Sequence, residues 1–115
     1  MLLSDVRADG EGVVMRLYIS GPMTGLPNFN RDQFNRAAGI LRAAAYDVVN
    51  PAELPAGWTW DEYMARALAD LRTCDAMAML PGWPESKGAR KELQEALRLD
   101  FRVREWTKWI EYARL

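Results

Sequence analysis

Short apolar runs alternate with amphipathic helical patterns along the chain, and this alternation constrains the fold more than any other feature. The runs with strand character are residues 16–20, 46–51, 74–80 and 101–106. The patterns with helical period span about 31–44, 60–73 and 88–100, followed by a terminal helix or tail at 107–115. The third run, CDAMAML, is apolar almost throughout, which is typical of a parallel strand covered on both faces.

This order of elements predicts an α/β fold of the small Rossmann or flavodoxin-like type. It would have a parallel sheet of four to five strands with helices on both faces. Ligands of such folds bind beyond the carboxyl ends of the strands, where the strand order reverses. The loops expected there are 20–29, 50–59 and 81–88, which are also the segments of most unusual composition. The sequence therefore predicts a site at this edge.

Two local features set further expectations for the ends of elements. Asn30 is predicted to cap the first helix with Gln33 completing a capping box, and Phe29 with Phe34 occupies the positions of a hydrophobic staple. Residues 1–14 are polar and without a clear period, so we interpret them as a loosely ordered extension of a single domain at 15–115. Translation starting at Met15 is a related hypothesis.

The absence of histidine excludes much chemistry. No Ser-His-Asp or Cys-His nucleophile pair and no histidine metal ligand can form, and the single cysteine, Cys74, excludes thiolate zinc sites. Acid–base or nucleophilic work must fall to carboxylates, tyrosine, lysine or that thiol. We therefore expect no metal and no redox cofactor, and a lone cysteine suits the reducing cytoplasm.

The charge balance restricts the partners. With 115 residues and a formal net charge of -1, the chain has no broad basic surface for duplex nucleic acid or anionic lipid. No apolar run approaches the roughly 20 residues needed to cross a bilayer. Duplex nucleic acid and membranes are therefore not expected partners.

Glu92 is the residue that departs most clearly from its surroundings. In the third helical pattern the apolar arc contains Ala89, Leu93, Ala96, Leu97 and Leu99, and Glu92 projects among them. A desolvated but ionised carboxylate is what attack on a sugar carbon requires. The alternative is a glutamate at the margin of the arc that bends to solvent.

Other residues at the predicted edge have a functional and a structural interpretation. Tyr18, in the first strand, could hydrogen-bond a carboxylate on the other side of the predicted site. Alternatively, it packs in the core as strand aromatics usually do. The SGPMTG turn, with Ser20, Gly21, Pro22 and Met23, presents backbone amides to a phosphate but matches no established phosphate loop. Ser86 and Gly88 flank a helix start, where anions bind readily, yet Ser86 is equally suited to a simple N-cap.

Tryptophans lie in or beside the loops of this edge. Trp58, Trp60 and Trp83 can stack on a nucleobase or cover a core. Trp106 and Trp109, with Tyr112, are expected to form an exposed apolar patch that suits a subunit interface and hence a homo-oligomer.

Three segments together, YISGPMTGLPNFN, AAYDVVNPAELP and CDAMAMLPGWPESKGARKELQ, resemble a phage and bacterial family related to nucleoside 2-deoxyribosyltransferases. The resemblance covers about residues 16–105. The wider superfamily includes deoxynucleoside 5'-monophosphate N-glycosidases, has a small Rossmann-like fold, and uses a glutamate nucleophile. Its members assemble as dimers or larger oligomers.

The resemblance implies a role for particular residues. Glu92 would attack the anomeric carbon and release the base, and Tyr18 would orient Glu92. Ser86, Gly88 and the 20–25 loop would hold the sugar or its 5'-phosphate. The expected activity is cleavage or transfer at the N-glycosidic bond of a deoxynucleoside or its 5'-monophosphate.

The sequence departs from the superfamily pattern at Ala67, where relatives usually have an aspartate credited with binding the sugar or handling the proton of the leaving base. Asp70, one turn further on, is the candidate substitute, although a displaced group usually costs heavily in rate. Ala67 favours the alternative function, a non-catalytic protein that binds or sequesters a nucleotide. A smaller departure is Ala45, where relatives often have glycine.

Overall fold

The computed structural model describes residues 14–114. The predicted N-terminal extension lies outside these residues except for Val14. The strands are β1 Arg16–Ser20, β2 Asp47–Val49, β3 Ala76–Met79 and β4 Arg102–Glu105. The helices are α1 Arg31–Ala43, α2 Trp60–Leu71, α3 Lys87–Arg98 and α4 Trp106–Ala113. Short 3-10 turns precede α1 at Pro27–Asn30, follow β2 at Pro51–Glu53 and precede α3 at Trp83–Glu85.

The four strands form one parallel sheet in the order β2-β1-β3-β4. The predicted α/β fold is confirmed: the sheet is small, parallel and flanked by helices, as in Rossmann-like and flavodoxin-like proteins. None of the helices within residues 14–114 is long and apolar enough to cross a membrane.

The two faces of the sheet carry separate cores. Alternation along β1 sends Leu17 and Ile19 into the core beneath α1 and α4. Tyr18 points to the opposite face and joins Ala67, Leu71 and other residues in the core beneath α2 and α3. Ser20 follows Tyr18 on that same face, so one strand delivers two polar side chains toward α3.

Helix α1 begins where it was predicted, but the cap and the staple predicted at its start are wrong. Asn30 has a φ of +60° and forms no side-chain cap, and its amide instead donates to the Pro22 carbonyl at 2.9 Å. Phe29, also left-handed at φ +53°, is 53% exposed, so it forms no staple with the buried Phe34. The side chain that was predicted to cap the helix therefore ties down the loop that follows β1.

The predicted tryptophan patch is also wrong. Trp109 is fully buried, its indole N–H donates to the Met77 carbonyl at 3.0 Å, and its own carbonyl accepts from Tyr46 Oη at 2.6 Å. Trp106 is half-buried against the same core. Leu97 was placed on the inner arc of α3 and is 58% exposed. Helix α4 thus closes one core through Trp109, and of the three predicted patch residues only Tyr112 is exposed.

Replacing Ala45 by glycine is expected to stabilise the protein. Ala45 has a φ of +77° after the end of α1, and this left-handed conformation costs an L-residue about 1–2 kcal/mol. Glycine removes that strain, for a net gain of about 1 kcal/mol after its greater chain entropy. Urea denaturation measures the change, with Ala43→Gly inside α1 as the control that loses stability. A less stable Ala45→Gly variant would show that the backbone strain is not real.

Candidate active site

The carboxylate of Glu92 lies inside the protein, between α3 and the end of β1. Glu92 is 7% exposed. Tyr18 Oη donates to its Oε2 at 2.8 Å, and Ser20 Oγ donates to its Oε1 at 2.5 Å. Both carboxylate oxygens therefore have a hydroxyl partner from the same strand, and the expectation that Glu92 bends to solvent is excluded.

The local fold explains why these three side chains meet. Tyr18 and Ser20 are two residues apart on a strand, so they share one face of the sheet and follow one another toward its carboxyl edge. Helix α3 starts just beyond that edge and buries Ala89, Glu92 and Ala96, which lie on one side of the helix at spacings of three and four residues. Glu92 consequently reaches β1 where Tyr18 and Ser20 end the strand.

Two opposing effects determine the pKa of Glu92. Burial raises the pKa of Glu92, while the hydrogen bonds from Ser20 and Tyr18 lower it, and the net result is a pKa of about 7. Burial, and next the charge of Glu92, raises the pKa of Tyr18 well above its ordinary value. Tyr18 therefore stays protonated as a donor, and Glu92 changes charge near neutral pH.

The start of α3 lies one turn above Glu92. Ser86 caps the helix, accepting from the Ala89 N–H at 3.1 Å. A Cβ on Gly88 would lie 3.3 Å from Met64 Sδ and 3.9 Å from Trp60 Nε1, so glycine lets α3 approach α2 here. Lys87 Nζ lies 4.6 Å from the centre of the Trp60 ring. Ser86 and Gly88 are thus close to the carboxylate along the chain, and both also have a structural role.

Of the residues of the predicted phosphate turn, only Ser20 forms a hydrogen bond with Glu92 in the described part of the chain. Gly21 is buried against Leu80, the carbonyl of Pro22 accepts from Asn30, and Met23 packs toward the core beneath α1. The side chain of Met23 therefore lies on the wrong face of the sheet to meet Glu92.

Substituting Gly21 by alanine is expected to cost about 1–3 kcal/mol of stability. The new Cβ would lie 2.7 Å from Leu80 Cβ, which is anchored to the backbone and cannot swing away. Gly39→Ala is the matched control, because a Cβ at that position would meet no atom within 4 Å and alanine favours a helix by about 1 kcal/mol. Thermal or urea unfolding of both variants checks the prediction. Equal stability of Gly21→Ala and the wild type would contradict it.

Two other predicted site residues, Trp58 and Asp70, pair with neighbouring side chains and form no hydrogen bond to Glu92. The Trp58 ring packs on Tyr63 with 5.2 Å between centroids. Both carboxylate oxygens of Asp70 accept from Arg66 Nε, at 2.9 and 3.0 Å. Asp70 is near enough to Tyr18 for its charge to contribute to the raised pKa of that phenol. Ala67 is buried in the same core as Tyr18. A catalytic role for Asp70 would require it to leave Arg66.

A groove of about 350 Å³ opens at the same edge of the sheet, over the ends of β3 and β4. Its lining, within residues 14–114, comprises residues 79–84 and 105–107. Glu92, Tyr18 and Ser20 lie outside this lining. Within the same part of the chain, no three acidic or cysteine side chains are grouped so that they could hold a metal ion.

Comparison with known families matches the segment that contains this site. The family model described as Domain of unknown function (DUF4406) matches residues 15–105. The chain belongs to this family. No curated protein matches the chain.

The DUF4406 match begins just before β1 and ends with β4, so it contains Tyr18, Ser20, Ser86, Gly88 and Glu92. Helix α4 lies beyond the matched segment, although Trp109 fills the core of this chain. The candidate site therefore lies within the matched segment, and α4, which lies outside it, packs on the other face of the sheet.

Sequence reasoning predicted only that Ser20 binds substrate, and it missed the role of Ser20 as a hydrogen-bond donor to Glu92. The period of two along β1 was the available signal, because it places Ser20 on the face of Tyr18. The groove was also missed. Its lining joins residues 79–84 to residues 105–107, which are distant along the chain, so no single segment indicates it.

Proposed function

We propose that this protein cleaves or transfers the N-glycosidic bond of a deoxynucleoside or its 5'-monophosphate, with Glu92 as the nucleophile. The observation that carries the proposal is the buried carboxylate of Glu92, held by Tyr18 and Ser20 at the carboxyl edge of a parallel sheet. Ligands of this fold class bind at that edge. The resemblance to the nucleoside 2-deoxyribosyltransferase superfamily supplies the substrate class.

The geometry supports a two-step reaction. A carboxylate oxygen of Glu92 forms a bond to C1' of the sugar as the bond from C1' to the base nitrogen breaks, and the base takes the electron pair and then a proton. Water, or a second base, next attacks C1' and displaces Glu92 as a carboxylate. Tyr18 and Ser20 fix the carboxylate so that the reacting oxygen does not have to be oriented during attack.

Tyr18→Phe is expected to lower the rate about 10- to 100-fold, the usual worth of a hydrogen bond to a charged group. Loss of this donor also raises the pKa of Glu92, because the bond from Tyr18 lowers it in the wild type. The pH–rate midpoint should therefore move upward. Tyr46→Phe, which removes a hydroxyl from the opposite core, is the control for a stability effect. A Tyr18→Phe variant that is slower than wild type but has the same pH–rate midpoint would contradict the role in positioning.

The proposed function is tested by incubating the protein with the four common deoxynucleosides and their 5'-monophosphates and separating free bases by chromatography. We expect base release from at least one of them, and no release by a Glu92→Gln variant. Release of the same base by both proteins, or by neither, would overturn the proposal.

A second candidate function is binding of a nucleotide without turnover. It is favoured by Ala67, which leaves no carboxylate at the position the superfamily uses, and by the pairing of Asp70 with Arg66. Calorimetric titration separates the two. A nucleotide that binds tightly and is recovered intact would support binding alone. Location in the cytoplasm and assembly into homo-oligomers also stay predictions.

A further inference from the structure

The groove over β3 and β4 has two aromatic walls and a carboxylate at its rim. Met79 and Glu105 are register partners at the ends of their strands, and both line the groove. Trp83 lies on one side, in the turn before α3, and Trp106 lies on the other, at the start of α4. Its volume of about 350 Å³ falls at the lower end of the range for small-molecule sites, roughly 300–1,000 Å³.

Both walls are held in place by packing. Trp83 is half-buried against the core that contains Tyr18, and Trp106 is half-buried against the core beneath α1. The Arg36 guanidinium also lies 5.9 Å from the centre of the Trp106 ring. Gly82 has a φ of +86°, and a Cβ there would approach Pro22 to 3.2 Å, so the turn that carries Trp83 is also constrained. A ligand would enter a groove that is already formed.

Glu105 gives the groove a chemical preference. Its side chain is exposed, does not cap α4, and has no salt bridge to any residue between 14 and 114. A carboxylate accepts hydrogen bonds and donates none when ionised. It therefore favours a ligand that offers an N–H or amino group, and the indole walls favour a flat ring.

The geometry points to the groove as a site for a planar heteroaromatic ring with an amino group, the class of adenine and cytosine. The ring stacks against Trp83 or Trp106, and its amino group donates to the carboxylate of Glu105, as the amino groups of bases donate to carboxylates elsewhere. This inference rests on the proposed function in one respect. The groove opens at the sheet edge where α3 begins, and under the proposed function the ring that it takes is the base of the substrate.

The test measures binding of free bases to a Glu92→Gln protein, in which no turnover occurs. Adenine and purine are the probes, since they differ by the amino group alone, and ligand-observed NMR titration gives each Kd. We expect adenine to bind about tenfold more tightly than purine. Glu105→Gln should remove that preference, and Trp83→Leu should weaken both ligands about tenfold. Glu111→Gln, on the exposed side of α4, is the charge-matched control.

Each outcome has a defined meaning. Unchanged adenine binding in both Glu105→Gln and Trp83→Leu overturns the inference, as does loss of binding in Trp58→Leu alone, which would place the base at the loop before α2. If adenine binds as expected while the wild type releases no base from any substrate, the proposed function fails and the groove stands as a base-binding site. If the wild type releases base while both groove variants bind adenine normally, the groove inference alone fails.

Discussion

Replacing Glu92 by glutamine is expected to abolish base release and, at the same time, to stabilise the protein above pH 7. The loss of activity should reach about 10⁴-fold or more, as is typical when a nucleophile is removed. Glutamine keeps the shape of the side chain and can still bond to Tyr18 and Ser20, so the variant should fold. Opposite effects on activity and stability are typical of a group that is buried for chemistry rather than for structure.

The gain in stability follows from the pKa of Glu92, which is about 7 in the folded protein and 4.5 in an unperturbed carboxyl group. Between these values the unfolded chain has lost its proton while the folded protein still holds it. The stabilising contribution of Glu92 to the free energy of unfolding is therefore fully present below pH 4.5 and is lost as the pH rises to about 7. This loss amounts to about 3 kcal/mol. Glutamine has no proton to lose, so the stability of Glu92→Gln relative to wild type should rise through this interval.

Glu95, one turn along the same helix, is the matched control for this effect. Hydrogen bonds from Arg98 and Arg72 lower its pKa to about 2, so it stabilises the folded protein above pH 4.5 and loses that contribution as the pH falls. Glu95→Gln should therefore be less stable than wild type at pH 8. Urea unfolding at pH 5 and pH 8 measures both variants. The same sign for the two glutamates at pH 8 would contradict the account.

Trp109→Ala is expected to destabilise the protein by about 3–5 kcal/mol, the largest effect on stability of any single substitution proposed for this chain. The side chain is fully buried, packs against the rings of Tyr46 and Tyr112, and donates to the Met77 carbonyl of the central strand β3. Truncation leaves a large cavity and removes the indole donor to that carbonyl. The free energy of unfolding of a small domain is only about 5–15 kcal/mol in total, so a substantial unfolded fraction of Trp109→Ala is expected at 37 °C.

A second variant keeps this prediction testable if Trp109→Ala does not fold. Trp109→Phe retains most of the apolar volume and loses the N–H donor, so it should cost about 1–3 kcal/mol. Trp58→Ala, at a half-buried loop position, provides the comparison for a tryptophan outside both cores. Urea midpoints order the three variants. A cost below about 1 kcal/mol for Trp109→Ala would show that α4 is not an integral part of the domain.

The sequence allowed much of the fold to be predicted because its strong patterns are local. The apolar run that contains β3 and the helical periods of α2 and α3 each lie within one segment, and the predicted bounds agree with the structure to within a few residues. The inward position of Glu92 was readable for the same reason, since the buried positions Ala89 and Ala96 share its side of the helix. Its hydrogen bond to Tyr18 was one of the two interpretations that the position of Tyr18 left open, and the resemblance implied the pairing with Glu92.

Other features depend on contacts between distant segments, and the sequence did not reveal them. Trp109 looked exposed because its partners, Tyr46 and Met77, lie 63 and 32 residues away along the chain. Asn30 is a residue type favoured at N-caps, yet its side-chain amide donates to the carbonyl of Pro22 and does not cap the helix. The groove exists only because α4 starts where β4 ends, opposite the turn before α3.

The most direct test of the central claim is to identify the atom that bonds to the sugar. The protein is mixed with a deoxynucleoside or deoxynucleoside monophosphate, quenched in acid during turnover, digested and examined by mass spectrometry. We predict that one peptide gains the mass of a deoxyribosyl group or its 5'-phosphate, and that fragmentation places the added mass on Glu92. Base release without any adduct, or an adduct on another carboxylate such as Asp70, would contradict the assignment of Glu92 as the nucleophile.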